Sequence, residues 1–483
     1  MSSRYLVAAA ARRTDVLSRH MASTITSSEP LVEFQERLAL RRFILNRPKK
    51  LNALNTPMLE VLASRIEQWN NADLCGVIVG TGVGKAFSAG GDVAGVIENA
   101  ANEATLPKAV DFFQREYELD TRSHKALLIL TRYGLDYTLS TLSKPYVAIM
   151  DGLTFGGGFG LVAPAPFRVA TENCSISMPE TKIGFFPDVG ASYYLSRLDG
   201  QIGTYLALTG TSLSGRAAFE HGLATHYIPS ARVPMLLDTL ATLEKPTFAQ
   251  VNEAIEDLHY DREPADPVAP LSGATRVALD SAFSQETVEA IVDALQSYAT
   301  GEESAEVVQW AKNTLTMLED RSPSSLKIAL MAIKKGKSLD LLESFKMELG
   351  IADAFCHGAS PDFHTGVTSV IVEKKTSRPT WSPASPNQVN EANLEASFFK
   401  PAVDCPQLVL PEALRKSHHP PASFLRYGLP TEIELQALVE GRHPLIAKAE
   451  DLRGGKRGAV EKVREVVSRQ CSVDKDGYLQ WKH

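Results

Sequence analysis

The sequence predicts an α/β fold, and three features of its first half carry that expectation. A run with apolar positions, Arg37 to Leu45, precedes an amphipathic stretch that opens at Thr56 and Pro57. A second apolar run, Cys75 to Val79, leads into the glycine-rich loop Thr81 to Asp92. A third, Tyr146 to Met150, runs into Gly156, Gly157 and Gly158. Short apolar runs separated by helical periodicity and glycine turns are the pattern of a sheet covered by helices.

In order along the chain, RLALRRFIL reads as a strand, and NRPKKLNALN (Asn46 to Asn55) as a turn carrying three cations. Thr56 is the expected N-cap, with Pro57 at the first helical position, of a helix reaching about Trp69. Another helix is expected after the loop ending at Asp92. The three glycines at 156–158 form a strand-to-helix turn, which lets a ligand approach the backbone and leaves N–H groups free to point at an oxygen. Glu180 and Asp188 follow in loop-like sequence, each beside a proline. Taken singly, these features are explained as well by a packing turn and salt-bridged acids.

Residues 201–243 read as successive helices with Ser214 as a cap, and 246–274, rich in proline and acids, as a loop. Helical pattern returns from Gln285 to Leu318, and a Ser-Pro start opens a helix over Ser322 to Gly336. In the next one Leu341, Leu342, Phe345, Leu349, Ala352 and Phe355 share a face. His221 and His226 flank a Gly-Leu-Ala-Thr turn and are assigned packing or surface roles.

A chain of 483 residues is long enough for one large domain with extensions or for two domains. Its 44% hydrophobic and 22% charged residues are those of a globular protein, which argues against a disordered or fibrous class. The net charge of −7 supplies no global basic field for nucleic acid. No apolar run approaches the roughly 18 residues of a transmembrane helix. Five scattered cysteines without a CxxC pair suit free thiols in a reducing compartment better than disulfides or a zinc site. Residues 1–28 carry Arg4, Arg12, Arg13 and Arg19 against the single acid Asp15, the composition of a mitochondrial transit peptide, which predicts the matrix as destination.

The motifs NRPKKLNALN, KAFSAGGD and DGLTFGGGFG resemble the enoyl-CoA hydratase/isomerase, or crotonase, superfamily. FRVATENCSISMPETKIGFFPDVGASYYLSRL, YLALTG and SGRAAFEHGLATHYIP narrow the resemblance to the 3-hydroxyisobutyryl-CoA hydrolase family, over about residues 32–380. It implies a crotonase (ClpP/crotonase-like) spiral of ββα units over 32–240 and a helical part over 241–380 whose helices cover the site or join subunits in a homo-oligomer. A proline-rich linker (384–425) and a basic helical extension (426–483) lie beyond it.

The resemblance also assigns chemistry. The backbone N–H groups of Gly91 and Gly157 match the pair that holds the thioester oxygen, where fixed donors commonly supply about 3 to 4 kcal/mol each as charge develops. Glu180 matches the acid of the family's MPET motif and Asp188 the aspartate of FPDVG. Hydrolysis needs attack on the carbonyl, either by water that a carboxylate activates or by the carboxylate itself through an anhydride; Glu180 is the candidate. Asp188 then orients water, assists proton transfer or binds the substrate hydroxyl. Glu116, in FFQREYELD, matches a substrate-binding glutamate, and Arg47, Lys49 and Lys50 suit the phosphates of coenzyme A, although a solvated basic turn is an equal reading. Hydratases place a second catalytic glutamate where this chain has Gly160, which argues against water addition to a double bond. No metal and no cofactor are implied, since coenzyme A is part of the substrate.

Two features stand outside the pattern. Joining Asp120 directly to Tyr137 gives EYELDYTLSTLSKPY, a gapless match, so residues 121–136 are expected to be a lineage-specific insertion or translated intron sequence. A tryptic peptide joining Asp120 to Tyr137 decides for the intron. Fungal-type relatives of this hydrolase also occur in the small subunit of the mitochondrial ribosome. A structural role there, with protein and rRNA as partners, is therefore the alternative; the basic segment 448–469 reads first as a solvated helical tail packed on the domain and, for that alternative, as its docking arm.

Overall fold

The computed structural model describes residues 29–92, 132–263, 266–400, 408, 424–441, 449–475 and 477–482. Val32–Arg37 (β1) and Leu40–Leu45 (β2) form an antiparallel hairpin. Leu38, in the left-handed region, makes the turn, so the single strand expected from Arg37 is the second arm of this hairpin. Val77–Gly82 (β3), Tyr146–Met150 (β5), Phe167–Ala170 (β7) and His226–Tyr227 (β10) add in parallel, giving the order β1-β2-β3-β5-β7-β10. Ala86–Ser88 (β4), Leu153–Phe155 (β6), Ser175–Ser177 (β8) and Leu213–Ser214 (β9) make a second sheet.

Each turn of the chain therefore gives one strand to each sheet, β3 then β4, β5 then β6, β7 then β8, which is a spiral of ββα units. The parallel strands β3, β5 and β7 of the large sheet are buried on both faces, as parallel strands require, while the edge strand β1 is largely exposed. In β5, Val147 and Ile149 pack under the helices Val233–Thr242 and Phe248–Glu256, while Tyr146, Ala148 and Met150 face the main core.

Several expected elements are shifted. Asn55, one residue before Thr56, is the N-cap of the helix Thr56–Asn71, its side chain accepting from the Met58 N–H. The stretch 246–274 contains the helix Phe248–Glu256, opened by a Thr247/Gln250 capping box. The expected linker at 384–425 contains the helix Glu391–Phe398, whose Phe398 ring lies 4.8 Å from Phe355. Among the described residues, Cys75, Cys174 and Cys471 are free thiols, no His/Cys/Asp/Glu cluster could hold a metal ion, and no helix is long and apolar enough to cross a membrane.

The extension docks on the body through its cations. Lys462 pairs with Asp199 at 2.7 Å, Lys456 with Glu256, and Arg469 with Glu432 at 2.5 Å and Glu465 at 3.0 Å. Glu432 also meets Arg276 of the body at 3.0 Å. Of the two readings of segment 448–469, the packed tail is what the structure has: most of its positive charge faces inward to the protein's own acids, and Arg457 and Arg464 are the exposed cations of its described part.

Candidate active site

The site is assembled by strand register. β6 and β8 pair in parallel with Phe155 opposite Ser177, so the glycines after β6 and the turn after β8 emerge side by side. Gly156 has φ +46°, and a Cβ there would lie 2.3 Å from Glu180 Oε1, so only glycine lets this carboxylate against the backbone. Glu180 opens a short 3-10 turn, Glu180–Ile183, and is 7% exposed.

Gly157 begins the helix Gly157–Val162. The loop Ser88–Asp92 lies against it: a Cβ at Gly90 would sit 3.4 Å from the Gly157 nitrogen, and one at Gly158 would collide with the Ser88 carbonyl at 2.5 Å. Gly91 is held by a bridge to Leu54, whose N–H donates to the Gly90 carbonyl and whose carbonyl accepts from the Asp92 N–H. Among the described residues, neither the Gly91 nor the Gly157 N–H has an acceptor. Two unspent donors in adjoining loops, beside a buried carboxylate, can polarise a carbonyl while the acid or its water attacks it.

Asp188 is 6% exposed, in a strained turn: Val189 has φ +57° and Gly190 φ +83°. A β-branched residue in the left-handed region is an outlier costing about 1–3 kcal/mol, held only where the surroundings demand it. Those surroundings are the helix Ala191–Leu195 after it and Glu348 from the helix Leu341–Cys356. Glu348 Oε2 accepts from the Gly190 N–H (2.6 Å), and Oε1 accepts from the Ser192 N–H (2.9 Å) and Oγ (2.5 Å). Burial pushes the Glu348 carboxyl up to about 8, and the Asp188 charge adds to the shift against the pull of the three donors. Phe185, Phe186, Phe355 and Phe363 wall the other side of the loop.

Gly160 is filled from outside. A Cβ there would meet Asp136 Oδ2 at 2.5 Å and Val189 Cβ at 2.9 Å. Asp136, fully buried, comes from the helix Arg132–Ser140, as do the buried Tyr133 and Leu135. Residues 132–136 of the expected insertion are thus part of the core; Glu116 and residues 121–131 lie outside the described residues.

The three proposed phosphate cations separate. Arg47 is committed to the protein, its Nη2 2.7 Å from Asp92 Oδ2 and its Nη1 donating to the Ala53 carbonyl, so it braces the Gly91 loop and is withdrawn from the phosphate set. Lys49 and Lys50 are exposed on the turn Pro48–Lys50. His221 and His226 are buried, the latter with Nε2 3.1 Å from Glu256, and desolvation lowers them to about 3 and about 4. A separate cavity of about 250 Å³ opens between body and extension, lined by residues such as Phe219, His221, His259, Leu429 and Lys462; Gly91, Gly157, Glu180 and Asp188 do not border it.

Sequence reasoning passed over Glu348, yet a signal was present. It stands on the buried face that carries Leu341, Phe345, Leu349, Ala352 and Phe355, and an acid inside an apolar stripe needs a partner.

A profile described as enoyl-CoA hydratase/isomerase matches residues 40–398. The chain belongs to the enoyl-CoA hydratase/isomerase family. Among solved structures, a carnitinyl-CoA dehydratase from Mycobacterium thermoresistibile superposes with a TM-score of 0.66 at 28% identity, covering 80% of this chain and all of that one. The fold is thus that of crotonase. The human mitochondrial 3-hydroxyisobutyryl-CoA hydrolase is 34% identical over 80% of this chain and 93% of its own. The Neurospora crassa small ribosomal subunit protein mS47 is 37% identical over 93% of this chain and 88% of its own, a span that cannot omit the whole of residues 424–483.

Proposed function

We propose that this family member hydrolyses a short hydroxyacyl-CoA thioester, with 3-hydroxyisobutyryl-CoA as substrate and the free acid and coenzyme A as products, in the mitochondrial matrix. The observation that carries the reading is the Glu180 carboxylate against Gly156, beside the unspent N–H donors of Gly91 and Gly157. A thioester oxygen on those two donors brings its carbonyl carbon within reach of Glu180 or of a water that Glu180 activates. Negative charge then moves from the attacking oxygen to the bound one, where the donors stabilise it, and collapse expels the CoA thiolate; attack by water gives the free acid directly, whereas attack by Glu180 leaves a mixed anhydride that a water cleaves to the free acid and the regenerated carboxylate. Asp188 orients water, assists proton transfer or binds the 3-hydroxyl. Lys49 and Lys50 are left as the cations for the CoA phosphates. The reaction needs no metal or added cofactor. Gly160, crowded by Val189 and Asp136, leaves no second glutamate for hydratase chemistry.

Thiol release from 3-hydroxyisobutyryl-CoA by the wild type and by Glu180→Gln is the test. The variant is expected to lose about 10²-fold or more in kcat. No release by the wild type sinks the proposal, and equal rates remove Glu180 from the mechanism.

A second role, as a component of the mitochondrial ribosomal small subunit, is favoured by the alignment with mS47 reaching into the extension. Co-sedimentation of the full chain with the small subunit through a high-salt gradient supports it; sedimentation as a free protein at low and high salt contradicts it.

A further inference from the structure

We propose that Glu348 is the positioning residue of this site: by clamping the backbone after Asp188 it holds that carboxylate in register for thioester hydrolysis. The inference rests on the hydrolase reading for the reaction it serves, but the clamp is measurable without it.

Four observations converge on the assignment. The helix Leu341–Cys356 is fixed at its start by a capping box between Asp340 and Glu343, and Phe345 packs on the Tyr133 ring at 5.0 Å, so the base of the clamp is rigid. Glu348 is fully buried, and an acid in that setting is kept only with specific partners. Its partners are the Gly190 N–H, the Ser192 N–H and the Ser192 hydroxyl, all within four residues of Asp188. Between Asp188 and those donors lies Val189 in the left-handed region, a conformation the chain leaves unless it is held.

Geometry also separates this role from ordinary helix capping. The two carboxylate oxygens divide the work, Oε2 taking Gly190 and Oε1 taking Ser192, so the acid spans the strained turn and fixes both ends of the peptide that follows it. Loss of one oxygen frees one end. The turn then relaxes and shifts Asp188 together with Val189, which packs against Gly160, while the apolar wall of Phe185 and Phe186 stays in place.

Glu348→Gln, compared with the wild type above pH 8 where the Glu348 carboxyl is ionised, is the direct test in the full chain, because the amide keeps the shape but offers one acceptor oxygen to two backbone N–H groups. Expected is a fall in kcat of about tenfold or more with KM for the acyl-CoA within about twofold. Hydrogen exchange read by mass spectrometry should speed up about tenfold or more in peptides covering 186–195, with the rest of the described core unchanged. Ser192→Ala, which removes the hydroxyl and leaves both backbone bonds, is the milder second variant, expected to lower kcat about threefold. Unchanged exchange at 186–195, or exchange accelerated throughout the core, overturns the clamp. A KM that rises with kcat unchanged overturns the positioning role. If the wild type releases no thiol, the hydrolase reading fails, and the exchange experiment still decides whether Glu348 holds the turn.

Discussion

At Gly160 a side chain has no room, because Val189 and Asp136 already occupy its place. Gly160→Ala is expected to cost about 1–3 kcal/mol of stability by overpacking, read as a lower urea midpoint, and to disturb the Asp188 turn through Val189. A neutral effect contradicts that packing. The glycine was legible in the sequence as a departure from the hydratase pattern. Its cause was not, since it lies in a turn 29 residues later and in a separate helix.

Glu348 permits a signed prediction at the same scale. Its carboxyl lies near 8 in the folded chain, above the ordinary 4.5, with Asp188 and the buried Tyr194 phenol facing it. A group raised on folding contributes stability below its unfolded value and loses it as pH rises through the folded one. The wild type should therefore lose melting temperature relative to Glu348→Gln from about pH 5 to about pH 8. Parallel curves would contradict the shift.

Among the elements, the helix Arg132–Ser140 is the most informative. Its buried Tyr133, Leu135 and Asp136 repeat the Tyr-x-Leu-Asp pattern of Tyr117, Leu119 and Asp120. Joining Asp120 to Tyr137 would thus supply the same buried residue types, with Glu116 in the place of Arg132. Deletion of residues 121–136 is expected to leave the melting temperature within a few degrees and, on the substrate-binding role that the family resemblance implies for Glu116, to raise kcat/KM. A collapse of stability on deletion would establish the longer chain as the folding unit. Glycine turns, cap residues and apolar periodicity made most elements legible: the Ser322 cap stands where the sequence put it. β1 was missed because its outward residues are mostly polar, and the helix Phe248–Glu256 because nearby prolines and acids outweighed its Thr247 cap.

For the molecule as a whole, the extension behaves as part of the body. Its basic composition left a packed tail and an external docking arm open, with the packed tail first, and only the fold could reveal that Asp199 and Glu256 face it. Near that seam His221, His226 and His259 are held neutral by burial, at about 3, 4 and 4. Groups lowered on folding contribute stability above their unfolded value and lose it as pH falls, here from about 6.5 toward 4, by about 1–2 kcal/mol each near pH 5. Three histidines outweigh the opposing term from Glu348, so the denaturation midpoint should fall between about pH 6.5 and about pH 5. A flat midpoint would contradict the buried neutral imidazoles.

The crotonase fold was legible from the motifs that carry the family resemblance, and that resemblance singled out Glu180, Asp188, Gly91 and Gly157. The pairing of Gly156 with Glu180 was not, because it depends on the register of β6 and β8. The central claim is that this arrangement performs hydrolysis in place of hydratase chemistry. Mass spectrometry of the products formed from 3-hydroxyisobutyryl-CoA in ¹⁸O-water tests it most directly. The account predicts free coenzyme A and 3-hydroxyisobutyrate carrying ¹⁸O in its carboxylate; an intact thioester that has lost water to become methacrylyl-CoA would contradict it.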